Sequence, residues 1–368
     1  MDSISQIALG ASIGVAVMGR RAPVWRAALW GGLAGTLPDL DVVIDYGDPI
    51  RNMTLHRAET HALFWLTLFA PVWAGLVSMV QRDAQYRWWL LAMWLALVTH
   101  PLLDSMTVYG TQLALPFTQH PYGVASIFII DPLYTLPLLL GLLVAFWRGR
   151  AGGGTVTGGA LGAGGTARAT DAVGRARAVA RVAPAGGPAR RAVLWGLALS
   201  TAYLGWSAGA QAHVQRLAQR SLADAGITVE RLLVTPAPLN TVLWRVLAMT
   251  PDGYAEGFHS LLDTPGPIRF ERFDNPRTLA TRHADDWHVA RIAWFSHGFF
   301  SIDETPSGVR IRDLRMGFEP AYSFGFGIDA PGAAGATAIR ALGERPDVGR
   351  ALPWLGRRML GEALASPR

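Results

Sequence analysis

Long apolar runs separated by short polar segments fill the first 210 positions of the chain, and they are the main predictor of its fold. A helix needs about 20 apolar residues to cross a bilayer. The runs at residues 62–80, 129–147 and 192–210 are the safest candidates, and the two runs before residue 45 could instead be re-entrant or tilted. The six spans predicted from these runs cover residues 4–18, 27–44, 62–80, 88–103, 129–147 and 192–210.

Beyond residue 210 the pattern changes, because large apolar residues alternate with polar or small ones. Such alternation is typical of half-buried β-strands. It occurs in IRFERF (268–273), GVRIRDL (308–314) and YSFGFGID (322–329), and residues 288–303 are long enough for a hairpin. We therefore predict a membrane α-helical protein of about six spans with a C-terminal soluble β-rich (α+β) domain.

The same changes in pattern predict the domain boundaries. Residues 151–190 consist mainly of Gly, Ala, Thr and Arg with almost no bulky apolar residue, which is typical of a linker. The predicted units are a polytopic membrane domain (1–147), a cytoplasmic Gly/Ala/Arg-rich linker (148–191), a last transmembrane helix (192–210), an extracytoplasmic β-rich domain (211–335) and a tail (336–368).

The composition supports a membrane protein, since 51% of the residues are hydrophobic and only 16% are charged. There is no cysteine, which excludes disulfides and thiolate ligands. The net charge of +6 would also suit nucleic-acid binding. Many of the arginines, however, flank the predicted spans, where membrane topology explains them more simply. We therefore predict membrane lipids, and no nucleic acid, as partners.

The arginines also predict an orientation in the inner membrane. They concentrate in the segments after the first, third and fifth predicted spans, whereas the intervening segments contain only Arg51 and Arg57. The positive-inside rule places the arginine-rich segments in the cytoplasm. The C-terminal domain is then extracytoplasmic.

Histidines and carboxylates gather at the ends of three predicted spans that meet at one membrane face. An ionisable group at membrane depth costs roughly 2.5–3.5 kcal/mol, so such residues usually line a functional cavity. They are Asp39 and Asp41 in GTLPDLD (35–41), His56, Arg57 and His61 in HRAETH (56–61), and His100 and Asp104 in THPLLD (99–104).

These side chains have the chemistry of a divalent metal site. Imidazole and carboxylate together suit Zn²⁺, Mn²⁺ or Fe²⁺, with Zn²⁺ and Mn²⁺ preferred here. His100 and Asp104 are four residues apart and share a helix face. A metal would activate water, and a carboxylate such as Asp39 or Asp41 would take the proton. Arg57 would bind a phosphate or carboxylate. The candidate ligands are His56, His61, His100, Asp104, Asp39 and Asp41; the number of metals and the identity of the base stay open.

The ordered motifs resemble the YbcI/YdjM-type membrane-bound metal-dependent hydrolases, also described as LexA-regulated inner-membrane hydrolases. The resemblance is carried by MDSISQIALGASIG, GTLPDLD, HRAETH and HPLLDSMTVYGTQLALPF within residues 1–147. TPAPLNTVLWRVLAMTPDGYAEGFHSLLD and IRDLRMGF resemble the family's extramembrane region. HRAETHA stands where the family usually has HRGFTHS, so His56, Arg57 and His61 match while Glu59 and Ala62 depart. The resemblance implies metal-assisted hydrolysis and names no substrate.

The sequence thus predicts a metal-dependent hydrolase that cleaves an ester or phosphoester at the outer membrane–water interface, where a lipid-linked substrate would be accessible. Two other functions stay open. Buried acids and histidines also form proton pathways in transporters, although no second, similar half is visible. The second alternative is a non-catalytic envelope protein with a structural metal.

Overall fold

A computed structural model of the protein describes residues 1–151, 187–330, 338–344 and 347–366. The predicted linker at 148–191 lies mostly outside the described residues, and so does part of the predicted tail at 336–368. The described residues form a helical region that is followed by a β domain.

The helical region contains seven α-helices among the described residues, and two 3₁₀ helices carry its polar motifs. The first 3₁₀ helix, Pro38–Val43, follows α2, and the second, Glu59–His61, directly precedes α4. The α-helices are α1 (Ser3–Met18), α2 (Val24–Thr36), α3 (Pro49–Leu55), α4 (Leu63–Gln81), α5 (Tyr86–Ser105), α6 (Pro132–Ala151) and α7 (Gly187–Asp224).

Helices α1 and α2 pack backbone against backbone through glycines. A Cβ atom added to Gly10 would lie 2.3 Å from the carbonyl oxygen of Gly31, and one added to Gly14 would lie 2.1 Å from that of Ala27. Small residues allow such close approach. The contact brings Gln6 of α1 and Gly35 of α2 next to the last turn of α5.

The prediction of about six membrane spans is wrong. Within the described residues, only two helices are long and apolar enough to cross a membrane, Leu63–Gln81 and Pro132–Gly149. Helices α1 and α2 have 16 and 13 residues, fewer than the roughly 20 that a span needs. Helix α5 has 20 residues but buries ionisable groups in its last turns, and α7 extends far into a polar sequence. The predicted spans without support are residues 4–18, 27–44, 88–103 and 192–210.

The β domain consists of two antiparallel four-stranded sheets, each with its strands in sequence order. Helices α8 (Arg277–Arg282) and α9 (Trp287–Phe295) connect the sheets, and α10 (Val348–Met359) follows the second sheet. The strands of the first sheet are β1 (Arg231–Pro236), β2 (Leu243–Met249), β3 (Gly253–Ser260) and β4 (Phe270–Asp274). Those of the second are β5 (Phe300–Thr305), β6 (Gly308–Phe318), β7 (Ala321–Asp329) and β8 (Ile339–Ala341).

The hairpin predicted at residues 288–303 is instead helix α9 followed by strand β5. The Asp286 side chain caps the helix by accepting hydrogen bonds from the backbone N–H groups of His288 and Val289. Val289 and Ile292 are buried, three residues apart, on the face that packs against the domain. In this segment the apolar residues at three-residue spacing form the buried face of a helix, and the alternation that predicted a strand does not decide the structure.

The β domain packs against the helical region next to the polar motifs. The Tyr109 ring, which follows α5, meets Phe295 of α9 and Phe324 of β7 at centroid distances of 5.5 and 5.7 Å. Arg291 Nε donates to the hydroxyl of Thr54 in α3 at 2.9 Å. These contacts hold the second sheet over α3 and the segment that follows it.

Candidate metal centre

Four of the predicted ligands, Asp39, His61, His100 and Asp104, meet at one point and form a four-residue cluster. His61 Nε2 and His100 Nε2 lie 3.2 Å apart. Each of these nitrogens lies 3.3 Å from Asp104 Oδ2 and 3.4 Å from Asp39 Oδ1. The four donor atoms all lie within 4.8 Å of one another.

These separations fit a divalent metal ion. A tetrahedral zinc ion with ligand distances of about 2.0–2.1 Å keeps its donor atoms about 3.3 Å apart. Five of the six donor–donor distances in the four-residue cluster are 3.2–3.4 Å. Two imidazoles and two carboxylates also suit Mn²⁺ or Fe²⁺.

The local structure explains how the four side chains converge. His100 and Asp104 lie one helical turn apart in α5 and face the same side. Asp39 lies in the first turn of the first 3₁₀ helix, and His61 ends the second. The side chains of His61, His100 and Asp104 are fully buried, whereas that of Asp39 is 23% exposed.

Hydrogen bonds at the outer nitrogens turn both imidazoles toward the centre. His100 Nδ1 lies 2.6 Å from the carbonyl oxygen of Gly35, which can only accept, so Nδ1 carries the proton. His61 Nδ1 lies 2.9 Å from the hydroxyl of Thr60. Such partners are typical of metal-binding histidines. The two Nε2 atoms then face each other at 3.2 Å, an arrangement that a cation between them stabilises.

Asp41 and His56, the other two predicted ligands, are not part of the four-residue cluster and form a pair beside it. His56 Nδ1 lies 2.8 Å from Asp41 Oδ1. Asp41 Oδ2 accepts hydrogen bonds from the Arg57 backbone N–H at 2.9 Å and from the Thr60 hydroxyl at 2.8 Å. Because Thr60 contacts His61, Asp41 supports a candidate ligand from outside.

Arg57, predicted to bind an anion, lies between the four-residue cluster and Tyr109. Its Nε is 3.5 Å from Asp104 Oδ2, and its guanidinium lies 4.9 Å from the centre of the Tyr109 ring. Arg57 is buried, with a φ of 65° in the left-handed region that non-glycine residues rarely adopt. Within the described part of the chain, its Nε and Nη1 atoms form no hydrogen bond. Arg57 Nε is thus in a long ion-pair contact with Asp104, and the buried Nη1 has no partner among the described residues. A buried donor without a partner favours an anionic ligand.

Both carboxylates of the first 3₁₀ helix are ionised at neutral pH. Burial raises the pKa of Asp39, but the adjacent imidazoles of His100 and His61 outweigh it and hold the pKa well below its ordinary value. Burial also raises the pKa of Asp41, but the contact with His56 outweighs it, so the pKa of Asp41 is lowered as well. Both side chains are therefore available as ligands or proton acceptors.

Sequence reasoning missed three residues at the site. Gln6 Nε2 donates to Asp104 Oδ1 at 3.1 Å, Thr60 connects Asp41 with His61, and Tyr109 packs on Arg57. The amino group of Met1 also contacts Asp104 Oδ1. An amide side chain in an otherwise small and apolar helix was the available signal for Gln6.

An open cavity of about 930 Å³ lies beside Arg57 and the His56–Asp41 pair, and none of the four cluster residues is among those that line it. One wall is the segment from the first 3₁₀ helix to α3, and the other is the second sheet of the β domain. Asp41, His56, Arg57, Tyr109 and Phe324 are among the residues that line it. The cavity gives a ligand access to Asp41, His56 and Arg57, and Arg57 in turn contacts Asp104 of the four-residue cluster.

Comparisons with known proteins match the helical region. A model of the YdjM inner membrane protein family matches residues 1–214, more than half of the 368 residues. The chain is 27% identical over 163 residues to "Uncharacterized protein YfhP" of Bacillus subtilis (strain 168), which covers 41% of this chain and 48% of YfhP. The chain thus spans about half the length of that curated relative. No solved structure matches.

Proposed function

The chain belongs to the YdjM inner membrane protein family, and from that premise we propose that it is a metal-dependent hydrolase acting on an ester or phosphoester at the membrane–water interface. One observation carries the proposal: two imidazole nitrogens and two carboxylate oxygens lie at the separations of a tetrahedral coordination shell.

The location of the four-residue cluster supports an interfacial reaction. His61 precedes the candidate span of α4 by two positions. The start of α6 lies nearby, since the Ile129 carbonyl accepts a hydrogen bond from the Asp2 backbone N–H at 3.0 Å. Both candidate spans therefore begin on the side of the cluster and the β domain.

Arginines lie at the opposite ends of these two candidate spans. Arg82 and Arg87 follow α4, and Arg148 lies near the end of α6. The positive-inside rule assigns those ends to the cytoplasm.

The contacts of each residue indicate its role in the proposed reaction. His61, His100, Asp104 and Asp39 would hold Zn²⁺ or Mn²⁺. When bound, such an ion lowers the pKa of water and supplies a nucleophile near neutral pH. Asp39, the most exposed of the four, is the ligand that substrate or water most readily displaces.

Three residues outside the four-residue cluster would transfer the proton of the attacking water and neutralise the charge of the substrate. His56 lines the cavity, and Asp41 holds its Nδ1, so the pair can take up a proton and return it to a leaving group. Arg57 can neutralise negative charge on the substrate.

A structural metal is a second candidate, because four protein ligands that complete a tetrahedral shell are typical of structural zinc sites. The exposure of Asp39 separates the two candidates. In an enzyme, Asp39→Ala leaves three buried ligands and changes turnover more than stability. In a structural site, the same change lowers the melting temperature and there is no turnover to change.

The test uses the full chain, purified in detergent and analysed for metal content. Zinc- or manganese-loaded protein should hydrolyse a p-nitrophenyl ester or phosphoester, and a chelator or His100→Ala should abolish the activity. His213→Ala, an exposed change on α7, is the matched control. Bound metal without turnover on either substrate class would favour the structural role, and protein that binds no metal would refute both.

A further inference from the structure

The cavity lined by Arg57, His56 and Asp41 has a polar end and an apolar side. Its volume of about 930 Å³ lies within the roughly 300–1,000 Å³ that is typical of small-molecule sites. Both the helical region and the β domain line it, so neither wall alone forms the site. The chemistry of the two walls therefore indicates what the cavity binds.

Arg57 determines the chemistry of the polar end. Its guanidinium is buried and lines the cavity, and Tyr109 holds it from one side. Among the described residues, Nη1 has no hydrogen-bond partner. A planar fork of N–H donors matches a phosphate better than a neutral carboxylic ester, which carries no charge. This end therefore favours a phosphoester.

The apolar side begins where the first 3₁₀ helix ends. Val42, Val43 and Ile44 line the cavity and are 72%, 81% and 47% exposed. Three consecutive exposed aliphatic residues are unfavourable in water and mark a surface that contacts an apolar ligand or lipid. Met316 and Phe324 of the second sheet line the opposite side of the cavity.

We propose that this cavity binds an amphiphilic phosphoester, with its phosphate at Arg57 and its hydrocarbon chain between residues 42–44 and strands β6 and β7. The inference rests on the proposed hydrolase function and assigns its substrate class. It also gives the β domain a role, since Met316 and Phe324 select for the chain.

Hydrolysis of such a substrate balances with water alone. The P–O bond to the lipid alcohol breaks, and a P–O bond to the water oxygen forms. One proton of the water passes through the His56–Asp41 pair to the leaving alcohol oxygen, and the other stays on the released phosphate. No oxidant, reductant or second substrate is required.

The first experiment measures specificity with the zinc-loaded full chain in detergent. Phosphate release is compared for dioleoyl phosphatidate and glycerol 3-phosphate, which share a phosphate and differ in the chain. We expect a higher kcat/KM for dioleoyl phosphatidate. Val43→Asp should lower the ratio of the two kcat/KM values about tenfold, because a charge replaces an apolar contact. Val43 is exposed, so the variant should fold.

The matched control is Val348→Asp, the same change at a 62% exposed valine of α10 that is not among the residues lining the cavity. It should leave both kcat/KM values unchanged. Equal kcat/KM values for the two phosphoesters, or a Val43→Asp ratio equal to that of the parent, would overturn the inference while leaving the hydrolase intact. Preference for a long-chain carboxylic ester would overturn the assignment of phosphate.

The second experiment measures binding and does not depend on turnover. The probe is the phosphonate analogue of dioleoyl phosphatidate, whose P–C bond resists hydrolysis. Arg57→Met should weaken its binding at least about tenfold, since charge-assisted hydrogen bonds are lost. Arg57→Lys should recover part of the loss.

Arg51→Met, which removes an exposed arginine of the neighbouring helix α3, is the control and should bind like the parent. Equal affinities of Arg57→Met and Arg51→Met would overturn the inference. If the parent binds the phosphonate through Arg57 but hydrolyses no ester, the proposed function fails and the lipid phosphate site stands.

Discussion

The helical region and the β domain both bury charged side chains, but they satisfy them in different ways. In the β domain, Arg245 Nε donates to Glu256 Oε2 at 2.7 Å, and Arg245 Nη1 donates to the carbonyl oxygen of Leu314 at 2.7 Å. In the helical region, Asp104 Oδ2 and Arg57 Nη1 are buried without a hydrogen bond to any described residue. The Arg245–Glu256 pair is thus joined by hydrogen bonds, whereas Arg57 and Asp104 are joined by a longer contact of 3.5 Å between Nε and Oδ2, which leaves Arg57 Nη1 without a partner among the described residues.

The difference shows which buried charges indicate a function. Arg245 and Glu256 are diagonal neighbours on the adjacent strands β2 and β3, so the sheet register itself pairs them. Asp39, His61 and His100 come from three separate segments, and their donor atoms point at one another. Buried polar atoms without a hydrogen bond are unfavourable, so the helical cluster is a candidate binding site, whereas the paired charges of the β domain are not.

The largest expected effect is on the stability of the β domain. Arg245→Met should lower the free energy of unfolding by about 3–5 kcal/mol, because Glu256 is left buried without a counter-charge. Denaturant unfolding of the purified chain measures this. Metal content should stay at the parent level.

Replacing both partners, as Arg245→Met with Glu256→Leu, should restore most of that loss because no uncompensated charge remains. A double variant as unstable as Arg245→Met alone would show that Arg245 and Glu256 do more than neutralise each other. The proposed difference between the β domain and the helical region would then be wrong.

The next effect is on metal affinity. His100→Ala should weaken zinc binding by more than about 100-fold. Loss of a group that only hydrogen-bonds to a metal ligand lowers metal affinity by about 10–100-fold, and loss of the ligand itself should cost more. Isothermal titration with zinc measures it, with His213→Ala as the control. An unchanged affinity would place the metal elsewhere.

A smaller loss of zinc affinity is expected for Asp41, which supports a candidate ligand without being one. Asp41→Asn should weaken zinc binding by about 10–100-fold, because the neutral amide no longer supports His61 through Thr60. Asp45→Asn, an exposed change in the same segment, should have no such effect. A loss as large as that of His100→Ala would make Asp41 a ligand.

The smallest effect concerns pH and the β domain. Burial raises the pKa of Asp263, but hydrogen bonds from Arg358 outweigh it and lower the pKa below the ordinary value of 3.8. The lower folded pKa stabilises the fold above pH 3.8, and this contribution is lost as the pH falls through the folded pKa.

The melting temperature of metal-free protein, measured from pH 6 to pH 3, tests this. Arg358→Met should flatten the pH dependence at its acidic end, and a parent-like curve would contradict the assignment.

Part of the site could be predicted from the sequence, because it depends on local spacing and on the order of the motifs. The four-residue separation of His100 and Asp104 places them on one face of α5. The choice between Asp39 and Asp41 could not be made, because in a 3₁₀ helix of three residues per turn positions two apart point to different sides. His56 and His61 are separated by the left-handed turn at Arg57, which the sequence does not indicate.

The fold shows the same limit. Apolar runs predicted helices, but hydropathy does not distinguish a lipid-facing surface from a protein-facing one. Helix α1 buries 12 of its 16 residues, largely against other helices, whereas α4 exposes most of its large side chains. The error of about six spans comes from that ambiguity. Alternation indicated strands β4, β6 and β7. It missed β1, β2 and β3, and β2 is buried at every position, so its sequence shows no alternation.

The glycine contact between α1 and α2 has a genetic consequence. A methyl group at Gly31 would meet the carbonyl oxygen of Gly10 at 2.2 Å, forcing the two helices apart. Gly35, whose carbonyl orients the His100 ring, lies one turn further along α2. A screen for inactive alleles should therefore recover Gly31→Ala beside changes at the histidines, although Gly31 carries no functional group.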